Sequence, residues 1–273
     1  MSEVRISVVT PSYNQAEYVE QTILSVLQQD YSNVEYLVLD GGSTDGSADI
    51  IEKYSDQLAY WCSAPDGGQA DAISRGFARC TGDVICWINS DDLFLPGALS
   101  KVARYFTDHP ETQCLSGGAF TIDEHNQPVK GFGVFTLGEQ ATFDKLRFYA
   151  QDNLYQPAAF WRRSAYEAVG GVDPTLNFIM DYDLFARLAL HSPFARLPAL
   201  LACFRLHGEC KSMRIQEVRE AELELFRERY GASSCSELSQ RLMYWKYRLP
   251  SLARKAQWRL ARKIGLIELP RVA

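Results

Sequence analysis

The chain has 273 residues, is 47% hydrophobic and carries a formal net charge of −6. That length holds one large α/β domain with an appendage, or two modest domains, and the absence of low complexity or internal repeats excludes a disordered chain or a solenoid. The charge is unevenly spread: residues 240–273 carry nine Lys/Arg against the single acid Glu268, a net +8, which leaves residues 1–239 at −14.

An acidic body without a recognition motif argues against nucleic acid as a partner. No apolar run approaches the roughly 20 residues of a membrane span. The seven cysteines (62, 80, 86, 114, 203, 210 and 235) have no CxxC spacing, and no signal peptide stands ahead of "MSEVRISVVTP". Reduced thiols and a cytoplasmic location are therefore expected.

In chain order, "VRISVVT" reads as a strand, "AEYVEQTILSVLQQ" as an amphipathic helix, "VEYLVLD" as a strand and "SADIIEKY" as a helix. "LAYWCS", "QADAISRGFARC" and "DVICWIN" continue the alternation as strand, helix and strand. Repeated βα units predict a doubly wound, mostly parallel sheet with ligands beyond the carboxyl ends of its strands. Each of those ends is polar: "TPSYN", "DGGSTDGS", "APDGGQAD" and "NSDD".

Further on, "QCLSGGAFTIDEHNQPVKGFGVF" predicts two strands around a turn at His125–Pro128, and "YQPAAFWRRSAYEAVGG" a strand running into a short helix. "DYDLFARLALH" predicts a helix opening on Asp181 and Asp183, and "FARLPALLACFRLHGECKS" an apolar run ending in a polar loop at His207–Ser212. From Ile215 the chain reads as helices broken by Gly231 and Pro250. The expected division is a catalytic α/β domain over 1–212 and a helical basic region over 213–273.

"NSDD" sets Asp91 and Asp92 side by side at the end of an apolar strand. A turn and N-cap before a helix from about Pro96 accounts for one aspartate, but two adjacent carboxylates raise each other's pKa unless something positive lies near. "DGGSTDGS" is neither GxGxxG nor a P-loop. Within it Asp45 suits an N-cap, and Asp40, on the last strand position, is placed to accept hydrogen bonds from a ligand.

"VVTPSYNQAEYVEQTILSVLQQDYSNVEYLVLDGGSTDGS" followed by "DGGQADAISRGFARCTGDVICWINSDD" resembles the inverting glycosyltransferases of family 2, which have the GT-A fold. The likeness covers about 4–212. It implies transfer of a sugar from a nucleotide diphosphate sugar, commonly a uridine one, to an acceptor hydroxyl with inversion. By resemblance, Pro11, Tyr13 and Asp40 line the base and ribose site, and Asp66, Gln69 and Asp71 lie near the nucleotide-sugar. "NSDD" matches the family's DxD-type motif with Asn89 in place of the first Asp, so Asp91 and Asp92 share the Mg²⁺ or Mn²⁺ that bridges the phosphates.

Asp181 matches the family's general base, whereas Asp183 suits the first helical turn. His207 matches a third metal ligand and Lys211 a phosphate contact. "ISRG" stands where "RNxG" is frequent.

The resemblance also implies a saccharide or lipid-linked acceptor of the kind used in bacterial surface polysaccharide or glycolipid synthesis. The tail mixes cations with Tyr244, Trp245, Tyr247 and Trp258. That pattern suits an amphipathic helix pair on an anionic membrane surface, or a basic helix packed on the body. A non-catalytic sugar-nucleotide binding protein is the alternative reading, resting on Asn89 and Ser74, and nothing indicates an oligomeric state.

Overall fold

The computed structural model describes residues 3–129, 141–148, 154–208, 210–211, 216–232, 234–263 and 269. The first strands are β1 (Ile6–Ser12), β2 (Val34–Asp40), β3 (Tyr60–Ser63) and β4 (Val84–Trp87). They alternate with α1 (Val19–Leu27), α2 (Ser47–Glu52) and α3 (Gln69–Phe77). Then come β5 (Leu93–Phe94), α4 (Ala98–Asp108), β6 (Cys114–Ile122), α5 (Phe143–Phe148), β7 (Ala159–Arg162) and α6 (Arg163–Ala168). Helix α7 (Met180–His191), β8 (Phe194–Arg205), α8 (Gln216–Arg229) and α9 (Glu237–Lys263) complete the described elements.

The described strands form one sheet in the order β3-β2-β1-β4-β7-β6-β8-β5. The β3-β2-β1-β4 half is parallel, β7 runs antiparallel to both β4 and β6, and β5 runs antiparallel to β8. This is a GT-A fold. Successive residues of the central strands point to opposite faces, as the period-2 pleat requires. Val9, Leu37 and Trp87 join α3 and α7 in one core, while Val8, Val38 and Cys86 join α1 and α4 in the other. Burial on both faces is why β1, β2 and β4 read as continuous apolar runs.

Strand β1 extends to Ser12, two residues beyond the predicted end. Pro11 is tolerated there because the pairing with β4 ends at Val9, so the ladder on that side has already opened. The helix after the "NSDD" turn starts at Ala98 rather than Pro96, because Gly97 sits at φ +74° and holds Pro96 outside it.

The Gly231 break is present: at φ +70° it ends α8, with Ala232 N–H reaching Arg227 O and Gly231 N–H reaching Glu228 O. The Pro250 break is not, since α9 runs through it. A proline removes one N–H and bends a helix, but Leu249, Leu252, Ala253 and the Arg/Lys residues beyond are strong helix formers that carry the coil past it.

Helix α8 is not a separate appendage in its packing. Phe226 is buried in the α3/α7 core with Leu223 and Tyr230 against it. The strand expected after the His125–Pro128 turn falls on 130–140 and lies outside the described residues. So do Glu209 and Ser212 of the polar loop, 264–268 and 270–273 of the tail, and the side chain of Trp258.

Candidate active site

The carboxyl ends of β1 to β4 open into one cleft of about 1280 Å³. Its walls include Pro11, Tyr13, Gly41, Asp66, Gln69, Asn89, Asp91, Asp181, Cys210 and Lys211. The loops are held by side-chain to backbone bonds rather than by packing. After β1, Asn14 takes a positive φ of 51° and its Oδ1 accepts Thr44 N–H at 3.0 Å. Ala16 N–H donates to Asp45 Oδ2 at 2.9 Å, while Asp45 Oδ1 accepts Ser47 N–H at 3.0 Å; the N-cap of α2 is Gly46, at φ +97°, so Asp45 stands one residue before the expected capping position. The ends of β1 and β2 thus form one rigid lip.

Asp40 does not face the cleft. It is buried, and its carboxylate accepts Gly42 N–H at 3.1 Å, Ser43 N–H at 2.9 Å and Ser63 O–H at 2.6 Å. Its ligand-facing neighbour is Gly41, where an added Cβ would lie 3.0 Å from Asp66 Oδ2. Asp71 also turns back on its own loop, accepting Gly67 N–H at 3.0 Å and lying 3.7 Å from Arg75. Ser74 and Arg75, from the "ISRG" departure, are not among the lining residues.

The adjacent aspartates point to different places. Asp91 reaches the cleft, with Oδ2 3.1 Å from His207 Nε2. Asp92 is fully buried, with Oδ1 accepting Arg205 N–H at 2.9 Å and Oδ2 accepting Asn89 Nδ2 at 3.1 Å. Burial, and then the neighbouring Asp91, push its pKa well above the ordinary carboxylate range. The structure therefore brings together Asp91 and His207, and sets Asp92 apart as the acid that locks the turn.

The substitution at Asn89 has a physical reason. Its amide donates to Asp92 Oδ2 and to Gln156 Oε1 at 3.2 Å, while its oxygen accepts from Gln69 Nε2 at 2.8 Å. An aspartate there would set a third carboxylate against the buried Asp92. The chain of amides continues at both ends: Gln156 Nε2 donates to Trp87 O at 2.7 Å, and Lys211 Nζ donates to Gln69 Oε1 at 3.0 Å.

The positive partner of the "NSDD" turn is Arg205, at the end of β8, which the sequence reading passed over. It is fully buried. Its Nε donates to Asp91 O at 2.8 Å, Nη1 to Asn126 Oδ1 at 2.6 Å and Nη2 to Gln21 Oε1 at 2.9 Å. The guanidinium also lies 4.9 Å from the Tyr18 ring centroid, and that ring packs on His207 at 4.5 Å. One side chain thus joins α1, the turn after β6 and the His207 loop to the carboxylate turn. A charged residue ending the apolar run "LLACFR" was the available signal.

Asp181 lies on the cleft wall in the first turn of α7. Burial pushes its carboxyl up to about 6, with Tyr182 N–H, at 2.9 Å from Oδ1, and then the Lys211 charge opposing. Burial lowers Lys211 in turn. Two residues on, Asp183 is wholly interior, bonded to Arg187 at 2.7 Å, Arg229 at 2.6 Å and the Tyr230 hydroxyl at 2.7 Å. Glu222 of α8 accepts Asn177, Phe178 and Ile179 N–H at 2.8, 2.7 and 3.0 Å, capping the start of α7 from outside the helix. The helix that presents Asp181 is thus held from α8 at two points.

The comparisons with known proteins give the family. The sequence model of glycosyl transferase family 2 matches residues 7–170, and the chain belongs to that family: it is a glycosyltransferase. It is 27% identical over 301 aligned positions to an uncharacterised glycosyltransferase of Nostoc sp., covering 97% of this chain and 88% of that one. Among solved structures, S. aureus TarS in complex with UDP-GlcNAc superposes with a TM-score of 0.67 at 17% identity over 96% of this chain and 76% of that chain. Against a longer TarS structure the chain spans 42% of its partner's length. The mannosyltransferase PcManGT of Pyrobaculum calidifontis, in complex with GDP-Man and Mn²⁺, gives a TM-score of 0.60 at 16% identity, over 99% of this chain and 78% of that one.

Arg205→Met removes four side-chain hydrogen bonds and strands buried acceptors beside Asp92. Urea unfolding should show a loss of about 3 kcal/mol or more, with Arg205→Lys recovering part of it. A change within about 0.5 kcal/mol, the size of an ordinary surface substitution, would remove Arg205 as the tie.

Proposed function

We propose that the protein transfers a sugar from a nucleotide diphosphate sugar, a uridine one in the first instance, to an acceptor hydroxyl with inversion at the anomeric carbon. The observation that carries this reading is the single cleft whose wall presents both Asp91, paired with His207, and Asp181, a carboxyl raised to about 6. That pairing favours an enzyme over a passive binding protein, because binding alone gives no reason to desolvate a carboxyl at the wall.

Asp181 takes the proton of the acceptor hydroxyl. The acceptor oxygen then bonds to the anomeric carbon as the bond from that carbon to the diphosphate oxygen breaks, and the nucleoside diphosphate leaves from the opposite side. Asp91 and His207 would hold the Mg²⁺ or Mn²⁺, a carboxylate and an imidazole being donors that suit such an ion. A divalent cation there supplies Lewis-acid stabilisation of the departing diphosphate. Lys211 adds positive charge on the same wall, and Pro11, Tyr13, Asp66 and Gln69 line the nucleotide-sugar site while Asp40 shapes its lip.

The acceptor is a saccharide or lipid-linked saccharide at an anionic membrane surface, and α9 supports that location. Leu238, Leu242, Trp245, Leu249 and Leu252 are exposed at alternating spacings of four and three, so they form one apolar stripe. Arg241, Lys246, Arg248, Arg254, Lys255 and further cations share the helix. Like charges in a second copy of this helix would repel, whereas anionic lipid complements both the charge and the stripe. No described helix is long and apolar enough to cross a membrane.

Asp181→Asn keeps the size of the side chain but cannot take a proton. Turnover should fall roughly 10²–10⁴-fold with nucleotide binding near wild type, and the wild-type rise in kcat/KM through pH about 6 should disappear. The sign follows from the raised pKa: below it the carboxyl keeps its proton and cannot act as a base. Normal turnover in the variant would transfer the role to another group.

For the tail, the full chain should co-sediment with anionic liposomes at low salt and release as salt rises, whereas a chain ending at Ser239 stays in solution and still binds nucleotide. Equal sedimentation of the two, or none by either, would remove the membrane role.

A further inference from the structure

Three donor atoms of different chemistry meet at the edge of the cleft. A carboxylate oxygen of Asp91, a ring nitrogen of His207 and Cys210 Sγ all lie within 4.8 Å of one another, and among the described residues no other trio of His, Cys, Asp or Glu does so. The closeness of the thiol is built into the chain. Cys210 N–H donates to His207 O at 3.1 Å, closing a tight turn. Its sulfur accepts His207 N–H at 3.2 Å and donates to Arg205 O at 3.4 Å. His207 and Cys210 are buried, yet Cys210 is part of the cleft lining.

A hard cation bridging phosphates uses the carboxylate and the imidazole and has no use for the sulfur. A carboxylate, imidazole and thiolate together are a zinc donor set, with bonds of about 2.0–2.2 Å to O and N and about 2.3 Å to S. Tetrahedral geometry with those bonds sets donors about 3.5 Å apart. Asp91 and His207 already meet at 3.1 Å, and the sulfur, within 4.8 Å of both, needs to approach by no more than about 1.3 Å, within reach of side-chain rotation. The fourth position stays open for water or a phosphate oxygen.

We propose that Asp91, His207 and Cys210 form a Zn²⁺ site that overlaps the hard-cation position, so that Zn²⁺ binds through sulfur and inhibits transfer. As the Zn–S bond forms, the thiol proton passes to solvent and no oxidation state changes. Zinc outranks Mg²⁺ and Mn²⁺ for nitrogen and sulfur donors, so it displaces them in competition for this position. The inhibition rests on the function proposed above; the binding does not.

The test uses the full reduced chain without nucleotide and Co²⁺ as the spectroscopic stand-in for Zn²⁺. One equivalent should produce a sulfur-to-cobalt charge-transfer band that Zn²⁺ abolishes by displacement. Cys210→Ser should lack the band and bind Zn²⁺ at least tenfold more weakly in competition with a chromophoric chelator. Should that variant fail to fold, alkylation of the wild type decides: Zn²⁺ should protect one thiol, identified by peptide mass as Cys210. No sulfur band in the wild type, an unchanged band in folded Cys210→Ser, or protection of a different cysteine would overturn the site. Zn²⁺ inhibition of wild-type transfer, reversed by chelator, checks the second half separately. A chain without transferase activity but with the cobalt–sulfur band would refute the proposed function and leave the zinc site standing, and full transfer with Zn²⁺ bound would overturn the inhibition.

Discussion

The site depends on one buried cation. Two adjacent aspartates lie in the turn after β4, where their repulsion would open the turn unless a positive group held it. Arg205 supplies the charge, arriving from β8 far along the chain. Its backbone N–H holds the Asp92 carboxylate and its guanidinium holds the Asp91 carbonyl. The remaining donors spread to Gln21 and Asn126. Because Asp92 absorbs the backbone contact in the interior, Asp91 is left to turn outward toward His207. These bonds orient rather than merely hold: with Asp92 fixed on the Arg205 backbone N–H in the interior, Asp91 is the one of two identical side chains that meets the cleft.

A second tie acts on the opposite chemistry. The base Asp181 sits in the first turn of α7, where a frayed helix start would let it swing. Glu222 caps that start from α8, and Asp183 in the same first turn is bonded to Arg229 at the end of α8 and to Tyr230 just beyond it. The expected boundary at 212 therefore falls between parts that pack as one body. Helix α9 differs in presenting an exposed apolar stripe, Leu238, Leu242, Trp245, Leu249 and Leu252.

The sequence made the α/β alternation legible because β1, β2 and β4 are apolar on both faces and end in polar loops, and because α3 and α4 carry the apolar spacing of helices packed on a sheet. Of the residues that the resemblance singled out, Asp91 and Asp181 line the cleft and His207 stands beside Asp91, their roles being the proposal above. Arg205 was hidden, since a lone arginine after an apolar run carries no periodicity and its partners are dispersed along the chain. Asp40, Asp71 and Asp92 were equally opaque: an aspartate in a Gly-rich loop reads the same whether it faces a ligand or its own backbone. The Pro250 expectation failed because propensity rules weigh one residue, whereas the strong helix formers on both sides continue the coil.

The account's central claim is that a turn locked by Arg205 and Asp92 presents Asp91, with His207, to a cation on a diphosphate. Electron paramagnetic resonance of free Mn²⁺, titrated against the full chain with uridine diphosphate, tests it most directly. The account predicts uptake of one Mn²⁺ per wild-type chain and loss of that uptake in folded Asp91→Asn. Equal uptake by Asp91→Asn, or none by the wild type, would contradict it.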